Sequence, residues 1–115
     1  MTKKIQISTS GRTAFEDITS QVKQAVREAD AEEGQCLVYV PHTTCGITIN
    51  ENADPDVRRD IIAELSKIVP FEDGYHHMER SSAAHIKSGM MGFHAVVPVS
   101  GGRLRVGAWQ GIYLW

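Results

Sequence analysis

Apolar and polar positions change period several times along the chain, and each change marks the start of a new element. Lys4 to Ser8 alternates around Ile5 and Ile7, which predicts a first strand with one covered face, broken by Gly11. Thr13 to Ile18 carries Phe15 and Ile18 without a helical period and reads as a second short strand, with Thr19 or Ser20 as the N-cap of a helix. Val22, Ala25, Val26 and Ala29 then recur at three and four, an amphipathic helix that lies on a sheet and stops by Gly34. Its charges, Lys23, Arg27, Glu28 and Glu32, are a solvated face. An apolar run from Cys36 to Val40 ends at Pro41, and Ile47-Thr48-Ile49 follows Gly46, so a local antiparallel hairpin turning near His42 to Cys45 is expected. Asp54-Pro55 reads as a cap followed by proline at the first helical position. The helix it opens, Pro55 to about Ile68, carries Val57, Ile61, Ile62, Leu65 and Ile68 in period and is expected to be the better buried of the two.

Phe71 to Ala84 has little apolar periodicity and reads as a long loop, a length more often functional than merely connective. Ala83 to Met90 can make one or two helical turns, ended by Gly89 or Gly92. Phe93 to Val99, the turn Ser100-Gly101-Gly102, and Arg103 to Val106 form a hairpin. Gly107 interrupts the strand pattern, the mark of a bulge or close backbone approach, before a closing run from Ile112 to Trp115. No phosphate-loop glycine pattern follows any strand, so the fold class is α+β with a mainly antiparallel sheet.

Composition narrows the function classes. A chain of 115 residues with 42% hydrophobic content fits one domain, residues 1–115, with a core that needs no staples. A net charge of −2 and a pI near 6.2 give no basic face for a nucleic acid. Small anions, which need only a local cluster, are still admissible partners. No long apolar run occurs, so no signal peptide and no membrane span are expected, and the location follows as cytoplasmic. Within the expected hairpin, Cys36 and Cys45 stand roughly 15 Å apart at ~3.3 Å per residue, too far for a disulfide. Cys36 is then a buried small hydrophobe, while Cys45 adjoins the candidate site.

The reactive side chains gather around the histidines. His42 stands at a strand end, His76 and His77 in the long loop, His85 in a short helix, and His94 in a strand where a structural role suffices. Three imidazoles from separate elements around an open position are the pattern of a zinc-type site, although any one of these histidines alone is more often a hydrogen-bonded rim residue. Glu51 directly follows a strand, whereas Asp54 already has work as a cap and Asp60 stands beside Arg58 and Arg59. Glu79, two residues past His77, can face the same side in an extended loop, as ligand partner or base. Arg80, Lys87 and Ser81-Ser82 can hold a phosphate, though such loops are common without that role. Trp109 and Gln110 offer a flat wall and a donor–acceptor pair, against the more usual reading of Trp109 as core.

Four blocks stand in order: His42-Thr43-Thr44-Cys45-Gly46-Ile47 with Asn50-Glu51, Asp54-Pro55, Val57 and Asp60; His77 with Glu79; Ser82-Ala83-Ala84-His85-Ile86-Lys87; and Gly107 with Trp109-Gln110-Gly111-Ile112. In these blocks, over nearly its whole length, the chain resembles the YjbQ-like family, whose members are commonly labelled secondary thiamine-phosphate synthase enzymes. The resemblance implies an α+β subunit with a mainly antiparallel, partly closed sheet of half-barrel or sandwich kind, two main helices and assembly as a homotrimer. It also implies a pocket that takes a divalent metal, zinc first among the candidates, on His42, His77 and His85. Glu51, Glu79 and Gln110 would then serve catalysis, and Asp54, Arg80, Lys87 and Trp109 would hold a small phosphorylated substrate. Arg80-Ser81 replaces the Gly-Asn usual in the family, and relatives continue past the position of Trp115 with an acidic, arginine-bearing tail.

The implied reaction joins a pyrimidine-methyl pyrophosphate to a thiazole phosphate and releases pyrophosphate, whose departing oxygens need a metal or cations. The same residues suit two other readings: a metal-dependent hydrolase of a small phosphorylated compound, and a trimeric protein that binds a metal or anion without turnover. Loss of metal without loss of turnover in His85→Ala separates catalysis from binding.

Overall fold

The structure, a computed structural model, describes residues 2–8, 15–76 and 82–115. Its elements run β1 (Glu16–Asp17), α1 (Thr19–Ala29), β2 (Gly34–Tyr39), β3 (Ile47–Glu51), α2 (Pro55–Ile68), α3 (Ser82–Met91), β4 (His94–Ser100), β5 (Arg103–Leu104) and β6 (Gln110–Leu114). The strands form two antiparallel three-stranded sheets, β1-β6-β3 and β2-β4-β5, which do not close into a barrel.

The arrangement is organised by β6, the central strand of its sheet. Ile112 and Leu114 point to one side and join Ile47, Val97, Val99, Leu104 and, from α1, Val22 and Val26, so the main core lies between the two sheets and the first helix. Tyr113 and Trp115 point to the other side and pack with Phe15 under α2 and beside Met91 of α3. A strand covered on both faces must be apolar at successive positions, and Ile112-Tyr113-Leu114-Trp115 is. Ile112 and Tyr113 are fully buried; burial of a side chain such as Ile112 contributes roughly 1.5–3 kcal/mol.

Helix α1 is seated on β6 by its first residue. The Thr19 hydroxyl accepts from the Ile112 amide at 2.9 Å and donates to Asp17 Oδ1 at 2.6 Å, while the Ile18 amide donates to the Ile112 carbonyl at 2.9 Å. Thr19 is therefore a clamp to the sheet, and Ile18 holds the N-cap position without a side-chain cap. The helix stops at Asp30, whose φ of 54° is left-handed, before Gly34 is reached. Asp54 does cap α2 as expected, its Oδ1 accepting from the Asp56 amide at 2.9 Å with Pro55 at the first turn.

Four expectations fail on pairing and burial. β2 and β3 are not a hairpin: Cys36 pairs with Val97 of β4, and Ile49 with Ile112 of β6, so the connection carrying His42 crosses between sheets. Each run finds a more apolar partner late in the chain, and proximity in sequence does not decide the pairing. Cys36 and Cys45 are both free, but the reason is not the hairpin distance, since Cys36 pairs with β4 and Cys45 lies in the connection that crosses to the other sheet. The better buried helix is α1, with Thr19, Val22 and Val26 buried; α2 has no buried residue and covers the aromatic face with half-buried Ile61, Ile62 and Leu65. Lys4 to Ser8, expected as a strand, has no strand partner among the described residues. The expected strand from Thr13 is described only from Phe15, with Glu16–Asp17 pairing to β6. The β4–β5 hairpin forms as predicted, with Ser100 opposite Arg103 and both turn glycines at positive φ. Helix α3 makes a third helix; it runs through Gly89 and ends before Gly92, which has a φ of 90°.

Candidate functional site

The β3–β6 ladder extends one residue beyond each strand end, and those two ends carry the chemistry. At one end Gly46 and Trp115 exchange backbone hydrogen bonds at 3.0 and 2.8 Å; at the other the Asn52 amide donates to the Trp109 carbonyl at 2.8 Å. From Gly46 to Asn52 the ladder spans roughly 20 Å at ~3.3 Å per residue.

The first end brings the His42 connection against α3. The Ser88 hydroxyl is fully buried, 2.7 Å from the Thr43 carbonyl and 3.0 Å from the His85 carbonyl. Its single hydrogen serves the shorter contact, which fastens the residue next to His42 onto the helix that carries His85. The approach is close because position 46 is glycine: a Cβ there would lie 2.8 Å from Met91 Cβ and 2.9 Å from the Gly92 carbonyl oxygen. The Ile47 amide completes the join by donating to the Gly92 carbonyl at 2.9 Å. His42 is exposed and His85 half-buried.

Lys87 stands two residues beyond His85 on the same helix and is only 7% exposed, with its Nζ 5.4 Å from the centroid of the Trp115 ring. Burial pushes its ammonium pKa below the usual lysine value, because desolvation disfavours the charged form. The ring face offsets part of that cost. The Cys36 thiol is shifted upward by burial, which disfavours the nucleophilic thiolate.

The second end is built on side chains. Glu51 stands opposite Gln110 in the ladder. Gln110 Oε1 accepts from the Gly107 amide at 2.8 Å, and Glu51 Oε2 accepts from the Ala53 amide at 2.9 Å, so both groups shape the loops they sit in. The Tyr113 hydroxyl, on the buried aromatic face, reaches Asn52 Oδ1 at 2.7 Å and the Glu51 carbonyl at 3.1 Å. Burial raises its phenol above the ordinary value, an effect partly opposed by Arg58, whose guanidinium carbon is 5.3 Å from the ring centroid. Asn52 folds against Gly111, where a Cβ would meet its Cγ at 2.9 Å. Trp109 is 67% exposed, so the core reading of that residue fails and it stands as an open wall beside Gln110.

Of the sequence candidates, His42, His85 and Lys87 thus belong to the first end, and Glu51, Asp54, Trp109 and Gln110 to the second. His77, Glu79 and Arg80 lie outside the described residues. Among the described residues no group of three His, Cys, Asp or Glu side chains is placed to hold a metal. Ser88, Asn52 and Tyr113, which fix both ends, were not anticipated; the signal that points to them is the glycine at 46 and at 111, each marking a close approach.

Among the described residues, two antiparallel sheets around a doubly covered β6, with three helices and a glycine-tightened ladder, define an α+β class of chain whose candidate groups sit at the rims of one sheet. The chain belongs to the UPF0047 protein YjbQ-like family, whose model matches residues 3–115. It is 46% identical over 114 residues to the UPF0047 protein YugU of Bacillus subtilis, covering 98% of this chain and 86% of that protein. A UPF0047 protein of Methanocaldococcus jannaschii is 44% identical over 110 residues, covering 96% of this chain and 80% of its own. A crystal structure of an uncharacterised conserved YjbQ/UPF0047 protein from Clostridium acetobutylicum superposes with a TM-score of 0.91 at 49% identity, covering 94% of this chain and 84% of that one. No described helix is long and apolar enough to cross a membrane.

Proposed function

We propose that this chain is a metal-assisted enzyme acting on small phosphorylated compounds, with a thiamine-phosphate-forming condensation as its reaction. The observation that carries the reading is the buried Ser88–Thr43 hydrogen bond, which holds the His42 connection and the His85 helix as one rigid unit beside Lys87. Such preorganisation is what a metal centre or a charge-stabilising site requires. No group of three His, Cys, Asp or Glu among the described residues could hold a metal, so the proposed centre needs His77, outside the described residues, to join His42 and His85. A bound zinc ion would supply Lewis-acid stabilisation of pyrophosphate oxygens as they depart. His42, His77 and His85 would hold it; Arg80 would bind phosphate and Glu79 would take up or deliver a proton. Lys87 adds positive potential to this end, whereas Trp109, Gln110, Glu51 and Asp54 stand at the other end of the ladder, roughly 20 Å away at ~3.3 Å per residue, beyond the reach of one small substrate bound at the first end of the same subunit.

The reading places the chain in the cytoplasm as one domain that assembles as a homotrimer, an assembly for which the exposed apolar side chains Leu37, Tyr39 and Val96 offer a surface. Incubation with a pyrimidine-methyl pyrophosphate, a thiazole phosphate and zinc is expected to release pyrophosphate and thiamine phosphate in equal amounts, and His85→Ala to abolish both. Equal turnover in His85→Ala, or no product with any divalent metal, contradicts the reading.

A further inference from the structure

The residues that the proposed reading gathers into one site stand at the two ends of the β3–β6 ladder, roughly 20 Å apart at ~3.3 Å per residue. A small substrate does not span that distance within one subunit. The two ends nevertheless complement each other, one as a projecting knob and the other as an apolar seat.

The knob is Trp109. It is 67% exposed, yet the turn that carries it is fastened: the Gly107 amide donates to Gln110 Oε1 at 2.8 Å, the Gln110 amide to the Gly107 carbonyl at 3.1 Å, and the Asn52 amide to the Trp109 carbonyl at 2.8 Å. A large ring held out on a fixed turn loses little freedom on docking, which makes it a good anchor for a contact. On the same rim Glu51 and Asp54 have no ion pair among the described residues, since Arg59 pairs with Asp56 and Arg58 is drawn over the Tyr113 ring. The seat is on α3, where Ile86 and Met90 stand one turn apart on a shared face and are both exposed. Methionine beside an aliphatic side chain suits an aromatic ring, because its sulfur makes favourable contacts with ring edges. His85 and Lys87 flank Ile86, and the Lys87 ammonium has no ion pair among the described residues. The rims are thus opposite in character, carboxylates at one end and an ammonium with imidazoles at the other.

We infer that the site is completed between two copies of this chain: the Trp109 turn of one copy seats on Ile86 and Met90 of the next and brings its Glu51 and Gln110 to face a substrate held there at His42 and His85. A knob and a seat at opposite ends of one chain make a head-to-tail contact, which closes into a ring when the rotation returns to its start. This arrangement rests on the proposed reading of the two sets of residues as one site, and it gives each subunit one half of two sites.

The test is photo-cross-linking of the whole chain with p-benzoylphenylalanine placed at Trp109, using a mixture of isotopically labelled and unlabelled protein so that links between chains are told from links within one. Covalent dimers joined at residues 42–46 or 85–91 are expected, and the reciprocal probe at Ile86 should join to residues 107–111. Links that stay within one chain from both positions, or that join chains only on the outer face of β2 and β4, overturn the inference. A second arm mixes His85→Ala with Glu51→Gln, each expected to lack turnover alone; unfolded together in equal amounts and refolded, they should recover about one quarter of the parental rate, the share of contacts in a closed ring that unite two intact halves. No recovery, or full turnover by Glu51→Gln alone, also overturns it. A parent chain without turnover refutes the proposed reaction and leaves the cross-links to decide the shared site.

Discussion

The two ends of the β3–β6 ladder are fastened by different means. At the Gly46 end a glycine is pressed against helix backbone and a fully buried serine holds the neighbouring connection. At the Gly111 end the atoms nearest to an added Cβ belong to the side chain of Asn52, the Tyr113 hydroxyl holds that side chain, and Trp109 stands in solvent. Backbone against backbone cannot yield without moving an element, whereas an amide side chain can rotate. The first end is therefore suited to fixed charges, and the second to a wall that adapts to a bound molecule.

Substitutions of the two glycines should expose this difference most strongly. Gly46→Ala is expected to destabilise by about 3 kcal/mol, because its methyl meets Met91 Cβ and the Gly92 carbonyl. Gly111→Ala should cost less, about 2 kcal/mol, since the Asn52 amide can swing away at the loss of one hydrogen bond while its Cβ, 3.1 Å from the added methyl, must give by a few tenths of an ångström. Urea midpoints measure both, and equal losses would refute the contrast.

The next test compares the hydrogen bonds. Ser88→Ala is expected to cost about 2 kcal/mol, because it strands the Thr43 carbonyl, and to speed hydrogen exchange through the His42 connection. Tyr113→Phe should cost about 1 kcal/mol and leave that connection unchanged. Exchange at residues 42–46 that responds to both substitutions would mean that the ends are not independent.

The smallest effect is a pH dependence at Lys87. Its folded pKa lies below the ordinary 10.5, so the folded state binds its proton less readily than the unfolded chain does. The stability associated with this group is fully present above 10.5 and is lost as the pH falls through the lowered folded value. Against Lys87→Met, the parent chain should therefore gain stability as pH rises through that window. Parallel pH profiles would show that the Trp115 ring offsets the whole desolvation cost.

Local features were legible in the sequence. The Asp54-Pro55 start of α2, the stripe Val22-Val26 of α1 and the glycine turn of β4–β5 are written within a few residues of themselves, and each forms where expected. Pairing was not legible, because β2 and β3 each choose a partner near the C-terminus, and the clue was the uninterrupted apolar run in β6 that only a central strand needs. The relative burial of α1 and α2 was misjudged for the same reason: α2 has more apolar positions, but α1 faces the layer shared by both sheets. In the candidate site, the reactive side chains could be named from their types, while the residues that hold them could not. Ser88 and Asn52 look like ordinary polar positions until the fold brings them against Thr43 and Gly111.

The most direct test of a site divided between these two ends is the zinc content of the purified chain after metal loading, measured on the parent and on four variants. His42→Ala and His85→Ala are expected to lose the bound metal, while Glu51→Gln and Gln110→Ala keep it at the parental ratio. Metal that persists in both histidine variants, or that disappears with Glu51→Gln or Gln110→Ala, would contradict the division.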